Sequence, residues 1–220
     1  SVKSRGLGDV YKRQVISIDT SKAEALPGVI AVATGDDAPN RFGVLPVTKD
    51  EHAMAVEKVR HVGDLVACVA AVDEATAREA VALIEVEYEV LDSIHDMKKG
   101  LEDVDEPIHW RGKYHVGSTN VQKRVFQEFG DRSMIENPNA MYHGKWKYMG
   151  VNHGFTEPHA VVAHWDSNGR LQLYTPQQVP HYVHRALATV LDVPMHQVNV
   201  IRTFVAVSYT HLTLPTILPV

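Results

Sequence analysis

The pattern of residues 160–201 constrains the fold of this 220-residue chain most strongly. Residues 160–165 and 170–174 read as strands on either side of Asp166-Ser167-Asn168-Gly169, whose Asn-Gly step is typical of a tight hairpin. Pro180 fits the first turn of a helix, and the chain returns as an apolar strand at 198–201. This order predicts a strand–helix–strand unit with a polar loop at the strand-to-helix junction.

That junction carries the step Gln177-Gln178. Ligands often contact an α/β protein at such a junction. A glutamine amide does not transfer protons usefully, but it can donate an N–H to an oxo or carbonyl group or accept from a ligand. The alternative is that the glutamine only caps the entry to the helix. The residues alone leave both interpretations open.

Composition and charge exclude several classes of protein. Hydrophobic residues make up 45% of the chain and charged residues 22%, as in soluble globular proteins. A net charge of −5 without a Lys/Arg cluster argues against a nucleic-acid surface. No apolar run approaches the roughly 18–20 residues of a membrane span. Because no secretory signal is evident, a cytoplasmic location is expected.

The single cysteine, Cys68, excludes an internal disulfide and any Fe–S cluster held by this chain alone. It lies inside the apolar run 65–70, so we expect it to be packed in the core.

Residues 15–91 follow a mixed α/β pattern. Strands are predicted at 15–18, 29–33, 65–72 and 85–90, with a helix at 73–84 that Asp73 caps. Ser21 and Glu24 predict a capping box for a short helix between the first two strands. In the last strand Val86, Tyr88 and Val90 alternate with three glutamates, which we interpret as a solvated face rather than a metal site.

Residues 92–122 lack periodicity and are predicted to be a linker to a second unit at 123–206. The linker histidines His95, His109 and His115 fit no compact metal motif, so we expect them to be exposed. The second unit is predicted to add a strand at 142–148, and its helix has an apolar face. The apolar face consists of Val183, Leu187, Val190 and Leu191.

The two terminal segments of the chain differ in pattern from the rest of the sequence. Residues 1–14 show neither helical nor strand periodicity, and residues 207–220 contain two prolines and no acidic or basic side chain. Both resemble translated sequencing-adapter sequence, so we exclude them from the fold prediction.

No complete active site is evident in the sequence. The thirteen histidines form no HExxH or HxH pattern, and no GxGxxG, Walker A or GxSxG sequence occurs. His181 and His184 are three apart on the predicted helix, but no third metal ligand is evident. Glu157 could be a general base, although the following Pro158 favours a structural carboxylate that bonds backbone amides.

The order of these segments resembles the large, molybdopterin-binding subunit of the xanthine dehydrogenase and aldehyde oxidase family. Residues 15–91 resemble its α/β hammerhead domain through Leu26-Pro27-Gly28-Val29 and the turn Gly63-Asp64. Residues 150–206 resemble the start of its cofactor-binding domain through Glu157-Pro158-His159 and Gln178-Val179-Pro180. The resemblance implies an α+β fold: an α/β hammerhead domain followed by the truncated start of a mixed α/β molybdopterin-binding domain.

The resemblance also implies an enzyme, a molybdenum-dependent oxidoreductase that exchanges oxygen between water and a substrate carbon. The family places a glutamine beside the molybdenum. Counting back from Leu191-Asp192-Val193-Pro194, which fits the family's helix ending, selects Gln178 as the cofactor-binding residue. Counting forward puts Ala206 at the first position of the family's GGGFG loop, where the resemblance stops. The family's catalytic glutamate is expected downstream, so the chain alone is expected to be inactive and to hold no molybdenum.

Electron transfer in the family uses 2Fe-2S and FAD groups, which are expected here on partner subunits or domains. Residues 42–46 and 178–184 look most like the 4-hydroxybenzoyl-CoA reductase α subunit, which would remove a ring hydroxyl reductively. The alternatives are an aldehyde, xanthine or carbon monoxide dehydrogenase of the same family, or a non-catalytic α/β binding module. The resemblance therefore implies a substrate that is a small aromatic compound, an acyl-CoA or an aldehyde.

Overall fold

A computed structural model describes residues 2–6, 13–43, 47–110, 112–131, 133, 142–149, 151 and 159–205. In these ranges the strands form three three-stranded sheets, ordered β1-β5-β3, β4-β2-β6 and β7-β8-β9. The strands are β1 (Val2–Gly6), β2 (Arg13–Asp19), β3 (Val29–Thr34), β4 (Lys58–Val59), β5 (Leu65–Ala71), β6 (Glu85–Val90), β7 (Val162–Trp165), β8 (Leu171–Thr175) and β9 (Val198–Arg202). The helices are α1 (Ser21–Glu24), α2 (Glu74–Leu83) and α3 (Pro180–Val190). The fold is therefore α+β, as the sequence predicts.

Helix α2 begins where the sequence predicts. The Asp73 carboxylate accepts a hydrogen bond from the Thr76 amide at 2.8 Å, which satisfies one of the unpaired N–H groups of the first turn. Ala77 and Ala80 lie on the buried face. Ala80 packs in a core cluster with Val69 of β5 and Ile84. The helix thereby covers the first sheet.

Strand β6 confirms the predicted alternation, with one exception. Val86 and Tyr88 pack against the cluster of Ala55, Val59 and Val66, while the three glutamates face solvent. Val90, predicted to be buried, is 70% exposed because the strand has passed the end of the core at this residue.

The capping box predicted for Ser21 and Glu24 is wrong. The N-cap of α1 is Thr20, whose hydroxyl donates to Glu24 at 2.7 Å without capping a backbone amide. A capping box forms instead at Thr34 and Asp37, where a 3-10 turn follows β3. The motif depends on backbone conformation at the cap, which the residue types alone do not specify.

The predicted hairpin at residues 160–174 is confirmed as β7 and β8, which pair antiparallel. The Asp166 side chain accepts from the amides of Asn168 and Arg170 at 2.9 Å each, and Gly169 has φ +73°. These two hydrogen bonds and the bond to Gln172 hold the pKa of Asp166 below its usual value, with the Arg170 amide the largest cause. The carboxylate therefore fixes the turn that sets the β7–β8 register.

Three segments differ from the sequence prediction. Residues 142–148 were expected to form a strand, but they pair with no described strand. The backbone of Val2–Gly6 forms β1 against β5, although residues 1–14 show no strand pattern. The expected linker 92–122 folds into turns, such as Val104 N to Ser118 O at 2.8 Å, and its Ile108 carbonyl accepts from Arg60 of the first unit at 3.1 Å. The adapter interpretation of 1–14 and 207–220 stays an expectation, and residues 207–220 lie outside the described ranges.

Within the described ranges, no helix has the length and apolar character that crossing a membrane requires.

Candidate functional site

The carboxyl ends of β8 and β9 meet at one edge of the third sheet. The two strands are parallel, with Thr175 opposite Arg202. The amide of Thr203 donates to the Thr175 carbonyl at 3.1 Å, which extends the pairing by one residue. In open α/β sheets, ligands bind at the carboxyl ends of parallel strands. This edge is therefore where a ligand-contacting residue of the second unit is expected.

Gln178 lies at this edge, between β8 and the first turn of α3. Thr175 is 3% exposed, and the next residues leave the core, so that Gln177 and Gln178 are both exposed. The N-cap of α3 is Val179, which makes no side-chain capping bond. Neither glutamine forms a side-chain hydrogen bond with any described residue. The capping role, which the sequence left open, is not observed.

Helix α3 is held firmly against the sheet that carries this edge. Leu171, Ala188 and Val198 form the core cluster between them, and Val200 packs on it. In the second turn of the helix, a His184 ring nitrogen lies 2.7 Å from the carbonyl oxygen of Met195, which follows the helix. Because β8, α3 and β9 are joined in this way, the position of the Gln178 loop is set by the packing of the crossover.

The structure gives no support for a histidine metal site. His184 is occupied by the Met195 carbonyl, while His181 is exposed in the first turn of the helix. Among the described residues, no three or more His, Cys, Asp or Glu side chains are grouped so that they could hold a metal ion. Glu157 and Ala206 both lie outside the described ranges.

The chemistry of the edge fits a ligand that presents oxygen acceptors. The Gln178 amide can donate two N–H groups, and no described residue accepts a hydrogen bond from either of them. The first turn of α3 contains no acidic residue, and the end of a helix at which N–H groups point outward favours negative charge. The residues present are thus compatible with an oxygen-bearing, anionic cofactor held beside Gln178.

A second polar cluster, which the sequence did not indicate, surrounds the carboxylate of Asp50. Asp50 is 1% exposed and accepts from the Trp110 amide at 2.6 Å. Its other oxygen lies 3.2 Å from His109 Nδ1, and Arg60 approaches to 3.6 Å. Burial alone would raise the pKa of Asp50, but the Trp110 hydrogen bond and the charges of His109 and Arg60 outweigh it and lower the pKa. The carboxylate therefore stays ionised.

This cluster borders a cleft of about 750 Å³ between the first unit and residues 106–110, which we call the strap. Lys58 pairs with Glu106 across the cleft, and Arg60 Nε donates to the Ile108 carbonyl at 3.1 Å. Each of these bonds joins the strap to the first unit. We interpret the cleft as a packing seam rather than a binding site, since its principal charges are already paired.

Two of the three linker histidines are not exposed as predicted. His109 is half-buried because it contacts Asp50. His115 is half-buried because a turn, closed by Val116 N to Val121 O at 2.9 Å, folds its ring inward. His95 is exposed, as expected. The sequence neighbours of these two histidines give no signal of either contact.

Cys68 lies in the middle of β5 but is only half-buried, whereas the sequence predicted that it would be packed in the core. Burial raises the pKa of its thiol, so the nucleophilic thiolate is disfavoured. The glutamates of β6 are a solvated face, as predicted, with Glu85 paired to Lys22 and Glu87 near Ser17. Neither feature supplies a catalytic group.

Two family descriptions match the chain. "Aldehyde oxidase and xanthine dehydrogenase, a/b hammerhead domain" matches residues 11–92, and "Molybdopterin cofactor-binding domain" matches residues 115–206. The nicotinate dehydrogenase large molybdopterin subunit of Eubacterium barkeri is 33% identical over 192 residues, covering 86% of this chain and 43% of the relative. The xanthine dehydrogenase molybdenum-binding subunit of Escherichia coli O157:H7 is 30% identical, covering 86% of this chain and 26% of the relative.

The fold is similar to solved structures of the same kind. Reconstituted CO dehydrogenase from Oligotropha carboxidovorans superposes with a TM-score of 0.74 at 28% identity, covering 91% of this chain and 26% of that one. The chain thus spans less than half the length of each of these proteins. The chain therefore contains a hammerhead domain of the aldehyde oxidase and xanthine dehydrogenase type, followed by a segment that matches a molybdopterin cofactor-binding domain.

Proposed function

We propose that this chain is part of the large subunit of a molybdenum hydroxylase, an oxidoreductase that exchanges oxygen between water and a substrate carbon. The observation that carries the proposal is the exposed amide of Gln178 at the carboxyl edge of β8 and β9, where it forms no hydrogen bond with any described residue. It lies within the range that matches a molybdopterin cofactor-binding domain.

In this proposal Gln178 is the residue of this chain that holds the cofactor. Molybdopterin, when bound, would supply the molybdenum centre at which oxygen and electrons are exchanged. Gln178 would donate an amide N–H to an acceptor oxygen of that group, and being uncharged it would orient the group without exchanging a proton. The packing of α3 on β8 and β9 would keep the amide in place, which lowers the cost of ordering it on binding.

Electrons would leave through 2Fe-2S and FAD groups on partner subunits or domains, because one cysteine cannot ligate a cluster. The relative named for nicotinate supports a small aromatic compound as the substrate that is oxidised. Xanthine and carbon monoxide, for which other relatives are named, are alternative substrates for the same type of oxidation, and so are aldehydes.

Reductive removal of a hydroxyl from 4-hydroxybenzoyl-CoA is the second candidate. Two segments favour it: residues 42–46, and residues 178–184 at the entry to α3. The two candidates differ in the direction of electron flow. A full-length enzyme that reduces an artificial acceptor with nicotinate, xanthine or an aldehyde supports the oxidative function, and one that consumes reductant with 4-hydroxybenzoyl-CoA supports the reductive one.

The role of Gln178 can be tested in the full-length protein by comparing Gln178→Ala with Gln177→Ala. Both remove an exposed glutamine from the same loop, so they are matched controls. We expect Gln178→Ala to change the Mo(V) electron paramagnetic resonance spectrum and to lower turnover by roughly 10²-fold, the usual effect of losing one preorganised donor. Gln177→Ala should leave both close to wild type.

Unchanged turnover and an unchanged spectrum in Gln178→Ala would refute the assignment of this residue. A full-length protein without stoichiometric molybdenum, measured by elemental analysis, would refute the proposed enzyme and favour a non-catalytic α/β binding module.

A further inference from the structure

Arg202 ends β9 at the same edge of the third sheet as Gln178. The two strands that meet there are parallel, and Arg202 lies opposite Thr175, the last residue of β8. Neighbouring strands are about 4.8 Å apart, so the backbone of Arg202 is one strand spacing from Thr175. Gln178 follows Thr175 by three residues. The carboxyl edge therefore carries an arginine as well as a glutamine.

The strand register places the Arg202 side chain on the face of the sheet that α3 covers. Thr175 is 3% exposed and belongs to the buried face of β8, which packs on the helix. Residues that pair across two strands point to the same face, so Arg202 shares this face with Thr175. Along β9, Val198 is buried, Val200 is half-buried and Arg202 is exposed. The guanidinium thus emerges from beneath α3 at the edge where Gln178 enters the helix.

The charge of Arg202 is not matched by any described residue. No described residue forms an ion pair or a hydrogen bond with its side chain. Between residues 167 and 205, Asp192 is the one carboxylate in the sequence, and it follows the opposite end of α3. An 11-residue helix is roughly 16 Å long, which is beyond a Debye length at physiological ionic strength. An arginine without a neighbouring carboxylate makes this edge attractive to an anion.

The strand holds the backbone of Arg202 in place before a ligand binds. The Thr203 amide donates to the Thr175 carbonyl at 3.1 Å, so the pairing of β9 with β8 continues past Arg202. Val198 and Val200 anchor the strand in the cluster beneath α3. Binding at Arg202 therefore has to order a side chain and not a loop, which lowers its entropic cost.

We propose that Arg202 is the second ligand-binding residue of this edge and that it pairs with an oxyanion of the bound molecule. A guanidinium presents its N–H groups in a planar fork that matches two oxygens of a phosphate or a carboxylate. The uncharged amide of Gln178 would donate to another oxygen of the ligands held at the same edge. This inference rests on the proposed function. The oxyanion belongs either to a phosphate of the cofactor or to the anionic group of the substrate, and the experiment separates these two sources.

Arg202→Gln in the full-length protein tests the inference, with Arg170→Gln as its matched control. Both substitutions remove the charge of an exposed arginine, but Arg170 precedes β8, at the opposite end of the strand from the edge. Pterin content is measured after dialysis, by fluorescence of the pterin after its oxidative release. If the oxyanion belongs to the cofactor, Arg202→Gln should retain at least about tenfold less pterin than wild type, the effect of losing a hydrogen bond to a charged group. Arg170→Gln should retain the wild-type amount.

Steady-state kinetics address the other source of the oxyanion. If it belongs to the substrate, Arg202→Gln should keep its pterin and raise KM at least about tenfold for nicotinate or 4-hydroxybenzoyl-CoA, which are anionic. The KM for an uncharged aldehyde should not change. Arg202→Lys keeps the charge without the fork, so it should lie between wild type and Arg202→Gln in whichever quantity changes. Circular dichroism establishes that each variant is folded, and Arg202→Lys decides the test if Arg202→Gln is not.

The outcomes separate this inference from the function on which it rests. Wild type without molybdenum, measured by elemental analysis, refutes both. If wild type contains molybdenum and Gln178→Ala alters its Mo(V) spectrum, the proposed function stands. Wild-type pterin content in Arg202→Gln, together with an unchanged KM for every substrate that the enzyme accepts, then overturns the role of Arg202. Equal effects of Arg202→Gln and Arg170→Gln would also overturn it, because they would reflect the loss of positive charge in general.

Discussion

At the scale of single residues, Asp50 shows how environment decides the role of a side chain. Its three contacts come from Arg60, ten residues away, and from His109 and Trp110, about sixty residues away. A carboxylate with so little exposure is tolerated only when its oxygens are hydrogen-bonded and its charge is matched. The role of Asp50 is therefore to hold the strap against the first unit.

Asp50→Asn tests this role through stability. The substitution keeps an acceptor for the Trp110 amide but removes the charge that faces Arg60 and His109. We expect the free energy of unfolding to fall by about 1.5–3 kcal/mol, the range for a hydrogen bond to a charged group. Chemical denaturation monitored by tryptophan fluorescence measures it. Asp92→Asn makes the same change at an exposed carboxylate and should have little effect.

The difference between wild type and Asp50→Asn should depend on pH. The pKa of Asp50 is lowered in the folded state, so the unfolded chain takes up a proton first as the pH falls. The stabilisation is then fully present above the unfolded pKa of about 3.9 and is lost as the pH falls through the lower, folded value. A difference that stays constant from pH 7 to pH 3 would contradict this account.

The surroundings of some residues could be predicted from the sequence, and those of others could not. The Gln178 loop could be predicted because its determinants, the Asn168-Gly169 turn and Pro180, are close to it in sequence. The Asp50 contacts and the burial of His109 could not, because they depend on a linker folding back on the first unit. Composition gives no measure of such long-range docking.

At the scale of elements, α3 ends in a Schellman motif. The amide of Val193 bonds to the Ala188 carbonyl at 3.0 Å, and the amide of Asp192 bonds to the Thr189 carbonyl at 3.3 Å. Asp192 takes φ +52°, a left-handed conformation that favours glycine. The accompanying apolar contact is present, since Val193 packs on the cluster that contains Ala188. The end of the helix is thus fixed at the cost of strain at one residue.

Asp192→Gly should relieve that strain. We expect the free energy of unfolding of the second unit to rise by about 0.5–1 kcal/mol, because glycine adopts a left-handed φ without steric cost. The fluorescence of Trp165 in β7, combined with urea titration, reports on this unit. Asp192→Asn should be nearly neutral and Asp192→Val destabilising. A lower free energy of unfolding in the glycine variant would contradict the proposal that the left-handed conformation of Asp192 destabilises the helix end.

The elements also show where strand prediction fails. The alternation in β6 and in the β7–β8 hairpin was correct because these strands have partners nearby in the chain or a core beneath them. Residues 142–148 alternate just as clearly but pair with no described strand. An alternating pattern of apolar and polar residues indicates that a segment is suited to a half-buried sheet. It does not indicate which strand, if any, the segment pairs with.

At the scale of the whole molecule, the described residues contain separate cores. The clusters around Val69 and around Val66 belong to the first unit, and the cluster of Leu171, Ala188 and Val198 belongs to the second. These clusters share no buried residue. A hydrogen bond from Asn40 to the Val190 carbonyl at 3.5 Å connects the two units. The units should therefore lose their structure separately.

Leu171→Ala and Val69→Ala test this separation. Truncating a buried leucine costs about 2–5 kcal/mol, which is large for a unit whose buried apolar residues, among those described, are Leu171, Leu173, Ala188 and Val198. In hydrogen exchange, we expect Leu171→Ala to abolish amide protection in β8 and β9 while β2, β5 and β6 stay protected. Val69→Ala should reduce protection in β3 and β5 only. If either substitution lowers amide protection equally in both units, the two units unfold as one cooperative body. In that case the carboxyl edge that carries Gln178 depends on the hammerhead domain for its stability.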